Sequence, residues 1–144
     1  MKIRALSQNN IQIASGVYLH LSLLLMILPL QYIISFLCSG MIHEFGHLCA
    51  LKIMKVPIYR LRITVSGAVI ETGEITPMQE LICAAAGPFV GALPCMVREI
   101  FPLLAICAFI QTAYNLLPLY PFDGGRIWKS CLAILREKKN SLQR

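Results

Sequence analysis

The chain has 144 residues, of which 57% are hydrophobic and only 14% are charged, and its mean hydropathy is +0.68. A soluble domain usually carries roughly 25% charged residues, so this composition predicts an integral membrane protein without a separate soluble domain. The net charge of +6 comes from Lys and Arg clusters that flank apolar segments and are not interleaved with aromatic residues. This pattern is typical of membrane orientation and argues against nucleic acid as a partner.

The apolar segments predict about four transmembrane helices. The first two meet at Pro29, where the break is poorly marked. Residues 1–10 are expected to remain as a signal anchor, because no small-residue cleavage site ends the apolar run that follows them. The predicted spans cover about residues 11–29, 31–54, 78–97 and 101–118.

The link between the second and third spans alternates apolar with basic or polar residues, which is the period of a β-strand. Ser66-Gly67 and a second short apolar run follow, so we predict a β-hairpin over about residues 58–71. It is either a structured connection or an edge, running from Tyr59 to Ile70 and including Gly67, that an extended peptide joins as a strand. The predicted fold class is an all-α membrane protein with this one short hairpin.

The third span is rich in small residues, and Gly87 and Gly91 have the spacing that permits close helix packing in a membrane. After the fourth span, a turn rich in Pro and Gly leads into a basic amphipathic helix over about residues 124–138. The whole chain therefore forms one domain, residues 1–144.

Lys and Arg concentrate at the N-terminus, after the second span and in the C-terminal part, whereas the links on the other side carry almost none. By the positive-inside rule, both termini face the cytoplasm, and the protein is a multi-pass protein of the cell membrane. On this topology, His47 and Asp123 lie on the same side of the membrane.

The second span contains an H-E-x-x-H pattern made of His43, Glu44 and His47. Residues four apart share a helix face, so both imidazoles can bind one zinc ion, with Glu44 beside them to carry protons. The pattern is short and occurs by chance in soluble proteins. However, residues 31–50 carry no other charge, and ionisable groups inside a membrane are costly enough to indicate function.

Catalytic zinc usually takes three protein ligands, and Asp123 is our candidate for the third because prolines and glycines fix the turn around it. The alternative for Asp123 is a helix N-cap. Asn115 either caps a helix or holds the substrate near the metal. His20 is left outside the site as a packed or interfacial residue, and the six cysteines are interpreted as small apolar residues.

Three segments resemble the site-2 protease family of intramembrane zinc metalloproteases, and within it the small members similar to stage IV sporulation protein FB. They are HEFGH from His43 to His47, AAAGP ending at Pro88, and NLLPLYPFDGG from Asn115 to Gly125. The resemblance covers the second to fourth spans in order. This sequence shows no PDZ-type insertion and no CBS domain, so substrate selection is not assigned to such modules.

The resemblance implies that His43, His47 and Asp123 bind one Zn²⁺ per chain. It implies that Glu44 is the catalytic acid and base and that Asn115 assists the substrate or the transition state. The implied activity is cleavage of membrane-embedded protein substrates, as in regulated intramembrane proteolysis. The implied partners are a membrane protein substrate and the lipid bilayer, and a regulatory membrane partner or a homo-oligomer stays open.

Two other functions are less consistent with the ionisable residues of the predicted spans. A catalytically inactive membrane protein of the same fold would bind a partner, but it has no need of the costly Glu44. A metal-binding transporter subunit would need ionisable residues along several spans, and the first and third spans offer only His20 and Glu80.

Overall fold

The computed structural model of the protein describes residues 11–64 and 67–142, so the predictions for the N-terminal anchor and for Ser66 in the hairpin turn lie outside the described residues. The described chain is mostly helical, with a small three-stranded sheet. A 3-10 helix, Leu93–Val97, follows the third α-helix. The helices are α1 (Ser15–Ile27), α2 (Leu30–Ile53), α3 (Pro77–Gly91), α4 (Pro102–Asn115) and α5 (Asp123–Leu142), and the strands are β1 (Ile11–Ile13), β2 (Ile58–Thr64) and β3 (Gly67–Thr72).

Among the described residues, two helical segments are long and apolar enough to cross a membrane. They are α2, with 24 residues, and Pro77–Val97, with 21, which joins α3 to the 3-10 helix. A hydrocarbon core of about 30 Å needs about 20 helical residues. With 13 and 14 residues, α1 and α4 reach only about 20 Å each. The first and fourth predicted spans therefore stay predictions.

The start of α3 is fixed by a capping box. The side-chain oxygen of Thr76 accepts a hydrogen bond from the Gln79 backbone N–H at 3.3 Å, and the Gln79 side chain accepts one from the Thr76 N–H at 2.9 Å. Pro77 occupies the first helical position, where its missing N–H costs nothing. This start places Glu80 and Cys83 in the first two turns of α3.

Helix α3 packs against both α2 and α5, and α2 also packs against α4. Gly46 allows α2 and α3 to approach closely, because a Cβ at this position would lie 2.5 Å from the carbonyl oxygen of Ala86 and 2.9 Å from the Cβ of Val90. Small residues at membrane helix interfaces permit this backbone contact. The motif-bearing face of α2 is therefore pressed against α3.

The sheet has the strand order β1-β2-β3, with β1 parallel to β2 and β3 antiparallel to β2. The predicted hairpin thus gains a third strand, which begins where the first span had been expected to start. Arg60 and Arg62 of β2 both lie near the Glu71 carboxylate of β3, at 3.7 and 3.9 Å. In the described part of the chain, no strand pairs with the other edge of β3.

An apolar cluster joins the sheet to the helices. Leu51 at the end of α2, Val56 in the following link and Cys83 on α3 form its buried centre. Ile58 of β2 and Ile70 of β3 pack against that centre. The sheet is thereby held beside the ends of α2 and α3, next to the H-E-x-x-H residues.

Candidate metal centre

His43 and His47 lie one helical turn apart on α2, and both side chains are buried. Their Nε2 atoms are 3.2 Å apart, and the rings meet edge to face. The two imidazoles point to one place because residues at i and i+4 share a helix face. The predicted pair of nitrogen donors is thus brought together on the α3 side of α2.

Asp123 is the first residue of α5, and it is also buried. Its Oδ2 atom lies 2.9 Å from His43 Nε2 and 3.2 Å from His47 Nε2. The turn before it folds tightly over the next residue: a Cβ at Gly124 would lie 2.2 Å from the carbonyl oxygen of Leu116. This close approach brings the Asp123 carboxylate next to His43, although the two residues are 80 positions apart in the sequence.

These three donors fit a zinc ion. Zinc bonds of about 2.0 to 2.1 Å in a tetrahedron place neighbouring ligand atoms roughly 3.3 Å apart, and the observed separations are 2.9, 3.2 and 3.2 Å. Two imidazoles and one carboxylate form a donor set that leaves a fourth position free, as catalytic zinc requires. Among the described residues, these three form the group able to hold a metal ion.

Hydrogen bonds outside the donor set orient His47. Its Nδ1 atom lies 2.8 Å from the backbone carbonyl oxygen of Cys83. A carbonyl oxygen accepts only, so the proton sits on Nδ1, and the Nε2 lone pair remains available to a metal. The space for this imidazole depends on Gly87, because a Cβ there would lie 2.2 Å from His47 Nε2.

Arg126 orients Asp123. Its Nη1 donates to Asp123 Oδ1 at 3.0 Å, and its Nε donates to Glu80 Oε1 on α3 at 2.7 Å. One oxygen of the aspartate is thereby occupied, and Oδ2 is left to face the imidazoles. The contacts of Arg126 with Asp123 and Glu80 were not predicted from the sequence. The position of Arg126 directly after Asp123-Gly-Gly was the signal that could have indicated them.

Glu80, Asp123 and Arg126 stabilise one another in their charged forms. Burial opposes the charge of Arg126, but the hydrogen bond and charge of Glu80, with the charge of Asp123, raise the pKa of the guanidinium above its usual value. Burial would raise the pKa of the Asp123 carboxyl, but hydrogen bonds from His43 and His47, when their Nε2 atoms carry protons, and the Arg126 charge lower that pKa below its usual range. Asp123 is therefore a carboxylate at neutral pH, as a metal ligand must be.

Glu44 borders the same cavity as the three donors, and its side chain is partly buried. Gly67, at the start of β3, has φ +123°, and a Cβ there would lie 3.3 Å from Glu44 Oε1. The positive φ favours glycine, and the short distance leaves little room for a larger residue. The start of β3 therefore lies directly against the predicted general base.

The cavity has a volume of about 560 Å³ and lies between α2, β3 and α5. Asn115, at the end of α4, lines it, as do Val69 and Ile70 of the free sheet edge. Tyr59, at the other end of the predicted edge, does not line it. His20 lies on an exposed face of α1, away from the donor group.

The chain was compared with known proteins. Residues 94–144 match the model of peptidase family M50, a segment that contains Asn115 and Asp123 but begins after His47. A curated relative, zinc metalloprotease MJ0392 of Methanocaldococcus jannaschii, is 30% identical over an alignment that covers 66% of this chain. The alignment covers 32% of that relative, so the chain spans about a third of its length.

A solved structure, the site-2 protease from Methanocaldococcus jannaschii, is similar to this one with a TM-score of 0.69 and 25% sequence identity. The match covers 91% of this chain and 71% of that protein. The two structures therefore share a fold that includes nearly all of the present chain. The comparisons therefore find similarity to metalloproteases: to peptidase family M50 over residues 94–144, and to a site-2 protease over most of the fold.

Proposed function

We propose that the chain, for which the comparisons support peptidase family M50, is an intramembrane zinc metalloendopeptidase that cleaves membrane-embedded protein substrates. The observation that carries this proposal is the convergence of His43, His47 and Asp123 to within 3.2 Å, on one wall of a cavity that Glu44 also lines. Three donors of this chemistry, next to a carboxylate that is not one of them, are the parts of a metallohydrolase site.

When bound, zinc supplies Lewis-acid chemistry that polarises a peptide carbonyl and makes water more acidic. Glu44 takes a proton from the attacking water through a carboxylate oxygen as the hydroxide adds to the scissile carbonyl carbon. The same carboxyl then gives that proton to the leaving nitrogen as the C–N bond breaks. Asn115 lines the cavity, and in this proposal its amide N–H donates to the carbonyl oxygen of the substrate.

The free edge of β3 is the proposed place for the substrate backbone. Gly67, Val69 and Ile70 of this strand face the cavity, and an extended peptide beside them would pass the metal donors. A transmembrane helix has its N–H and C=O groups satisfied internally, so it must unwind locally before it can pair with this edge. Within the predicted Tyr59 to Ile70 hairpin, the free edge of β3 would offer hydrogen bonds that offset part of the cost of unwinding, whereas β2, which carries Tyr59, is the central strand.

The remaining sequence predictions belong to the same proposal. Four spans with both termini in the cytoplasm would place the metal centre in the cytoplasmic half of the membrane, where the hairpin also lies. The similarity to stage IV sporulation protein FB, a role in regulated intramembrane proteolysis and a regulatory partner or homo-oligomer all remain predictions. Two helices of sufficient length and apolarity support the membrane setting.

Cleavage of candidate membrane substrates by the purified protein in detergent tests the proposal. Glu44→Gln is expected to retain zinc and to lose cleavage, because the amide cannot take a proton. Asp123→Ala is expected to lose both, because only two donors remain. Unchanged proteolysis by Glu44→Gln would refute the mechanism. A chain that binds zinc but cleaves no substrate in its wild-type form would favour the inactive partner-binding alternative.

A further inference from the structure

Two buried polar atoms near the metal centre lack a hydrogen-bond partner among the described residues. One is Nδ1 of His43 on α2, and the other is the hydroxyl oxygen of Thr112 on α4. Buried polar groups almost always find a partner, so each such atom calls for an explanation. Two of them on facing helices point to a shared cause.

The two atoms border the same small space beside Gly91 of α3. A Cβ at Gly91 would lie 2.9 Å from His43 Nδ1 and 3.3 Å from Thr112 Oγ1. Both atoms therefore lie beside the same point on α3. Two polar atoms this close to one point can be joined directly or by one water molecule.

The chemistry of His43 demands an acceptor at this place. Its Nε2 is the atom that faces His47 and Asp123, so zinc binding requires a lone pair on Nε2 and the proton on Nδ1. Metal-binding histidines almost always donate that other N–H to an oxygen, which fixes the tautomer and the ring orientation.

The other two donors already have such support. Nδ1 of His47 donates to the Cys83 carbonyl, and Oδ1 of Asp123 accepts from Arg126. His43 is thus the one member of the donor set whose outer contact is missing, and Thr112 Oγ1 is the unpaired oxygen that borders its Nδ1. A threonine hydroxyl in a helix can donate to its own helix and still accept from a neighbour.

We propose that Thr112 is a positioning residue for the metal centre: its hydroxyl oxygen accepts the hydrogen bond of the His43 Nδ1–H, directly or across one water molecule. The contact holds His43 in the tautomer that presents Nε2 to zinc. It also links α4 to α2 at the level of the donor atoms. The inference rests on the proposed function, because it assumes that His43 binds zinc through Nε2.

Zinc affinity, measured by competition with a chromophoric chelator on the full chain in detergent, tests this role. Thr112→Val keeps the side-chain volume and removes the hydroxyl, and we expect a fall of about 10- to 100-fold in affinity. Thr112→Ser keeps the hydroxyl, so we expect an affinity within about threefold of wild type. An unchanged affinity in Thr112→Val, or an equal fall in both variants, would overturn the proposal.

A second measurement needs no variant. The ¹⁵N spectrum of the histidine rings in the zinc-loaded wild type should show His43 with its proton on Nδ1 and protected from exchange with water. Rapid exchange of the His43 Nδ1 proton with bulk water would overturn the assignment of Thr112, whereas a proton on Nε2 would refute zinc binding through Nε2. Failure of the proposed ligand set would be seen differently, as full zinc binding by Asp123→Ala.

Discussion

Gly87→Ala is the substitution whose effect the geometry defines most sharply. Gly87 lies on α3 directly against the donor set, and its new Cβ would be 2.2 Å from His47 Nε2, 2.3 Å from His47 Cε1 and 2.9 Å from His43 Nε2. Nonbonded carbon and nitrogen atoms rarely approach closer than about 3.4 Å, so the imidazole or the helix must move by about 1 Å. Neither partner is a flexible chain end.

We expect Gly87→Ala to lose zinc affinity because a zinc site tolerates only small changes in its ligand distances. Zinc ligands need their distances within about 0.2 Å, and a shift of about 1 Å removes His47 from the donor set. We expect zinc affinity to fall at least 100-fold, because one of three protein ligands is lost. Overpacking of this helix contact should also lower the free energy of unfolding by about 1 to 3 kcal/mol.

Zinc content by elemental analysis and thermal unfolding in detergent measure the two effects. Gly40→Ala is the matched control, since its nearest neighbours are side-chain atoms of Gln111 at 3.6 and 3.8 Å. That variant should keep full zinc and wild-type stability or better, because Ala favours helix over Gly by about 1 kcal/mol. Full zinc occupancy at wild-type affinity in Gly87→Ala would refute the described packing of α3 on the donors.

Four further outcomes are expected. In the chelator assay, Arg126→Met should lower zinc affinity about 10- to 100-fold, and Glu80→Gln should lower it less. Arg98→Met is the control, because Arg98 belongs to an exposed ion pair, and it should leave zinc affinity unchanged. Gly124→Ala should reduce zinc content, because its Cβ would meet a carbonyl oxygen 2.2 Å away. Gly67→Val, strained at positive φ, should retain zinc but slow cleavage in a peptide-release assay. Chelation of zinc should lower the unfolding temperature reversibly, since the donors join α2 to α5.

The sequence predicted that His43, His47 and Asp123 would lie together, but it did not predict the residues that surround them. The i, i+4 spacing of His43 and His47 determines a shared helix face, and the Pro- and Gly-rich turn marked Asp123 as a fixed carboxylate. Their convergence in the structure agrees with that prediction, while their roles stay proposals. The period-two pattern likewise indicated β2 and β3, because alternation over several residues has no helical equivalent.

What sequence could not provide depends on long-range packing. Strand β1 has three residues, too few for a period to be visible, and it forms by pairing with β2. The Arg126–Glu80 ion pair joins residues 46 apart, and no local pattern links them. The burial of the Thr112 hydroxyl without a hydrogen-bond partner depends on the packing of α4 against α2, which the sequence does not show.

Because Asp123 lies at the start of α5, the three candidate zinc donors are completed late in synthesis. During synthesis, both histidines emerge long before the aspartate that completes the donor set, and the Arg126 contact to α3 comes later still. A nascent chain that ends before α5 holds only two of the three candidate donors, so it would not retain zinc tightly. On the proposed function, hydrolysis would therefore begin only after α5 has packed against α3 and brought Asp123 to the two histidines.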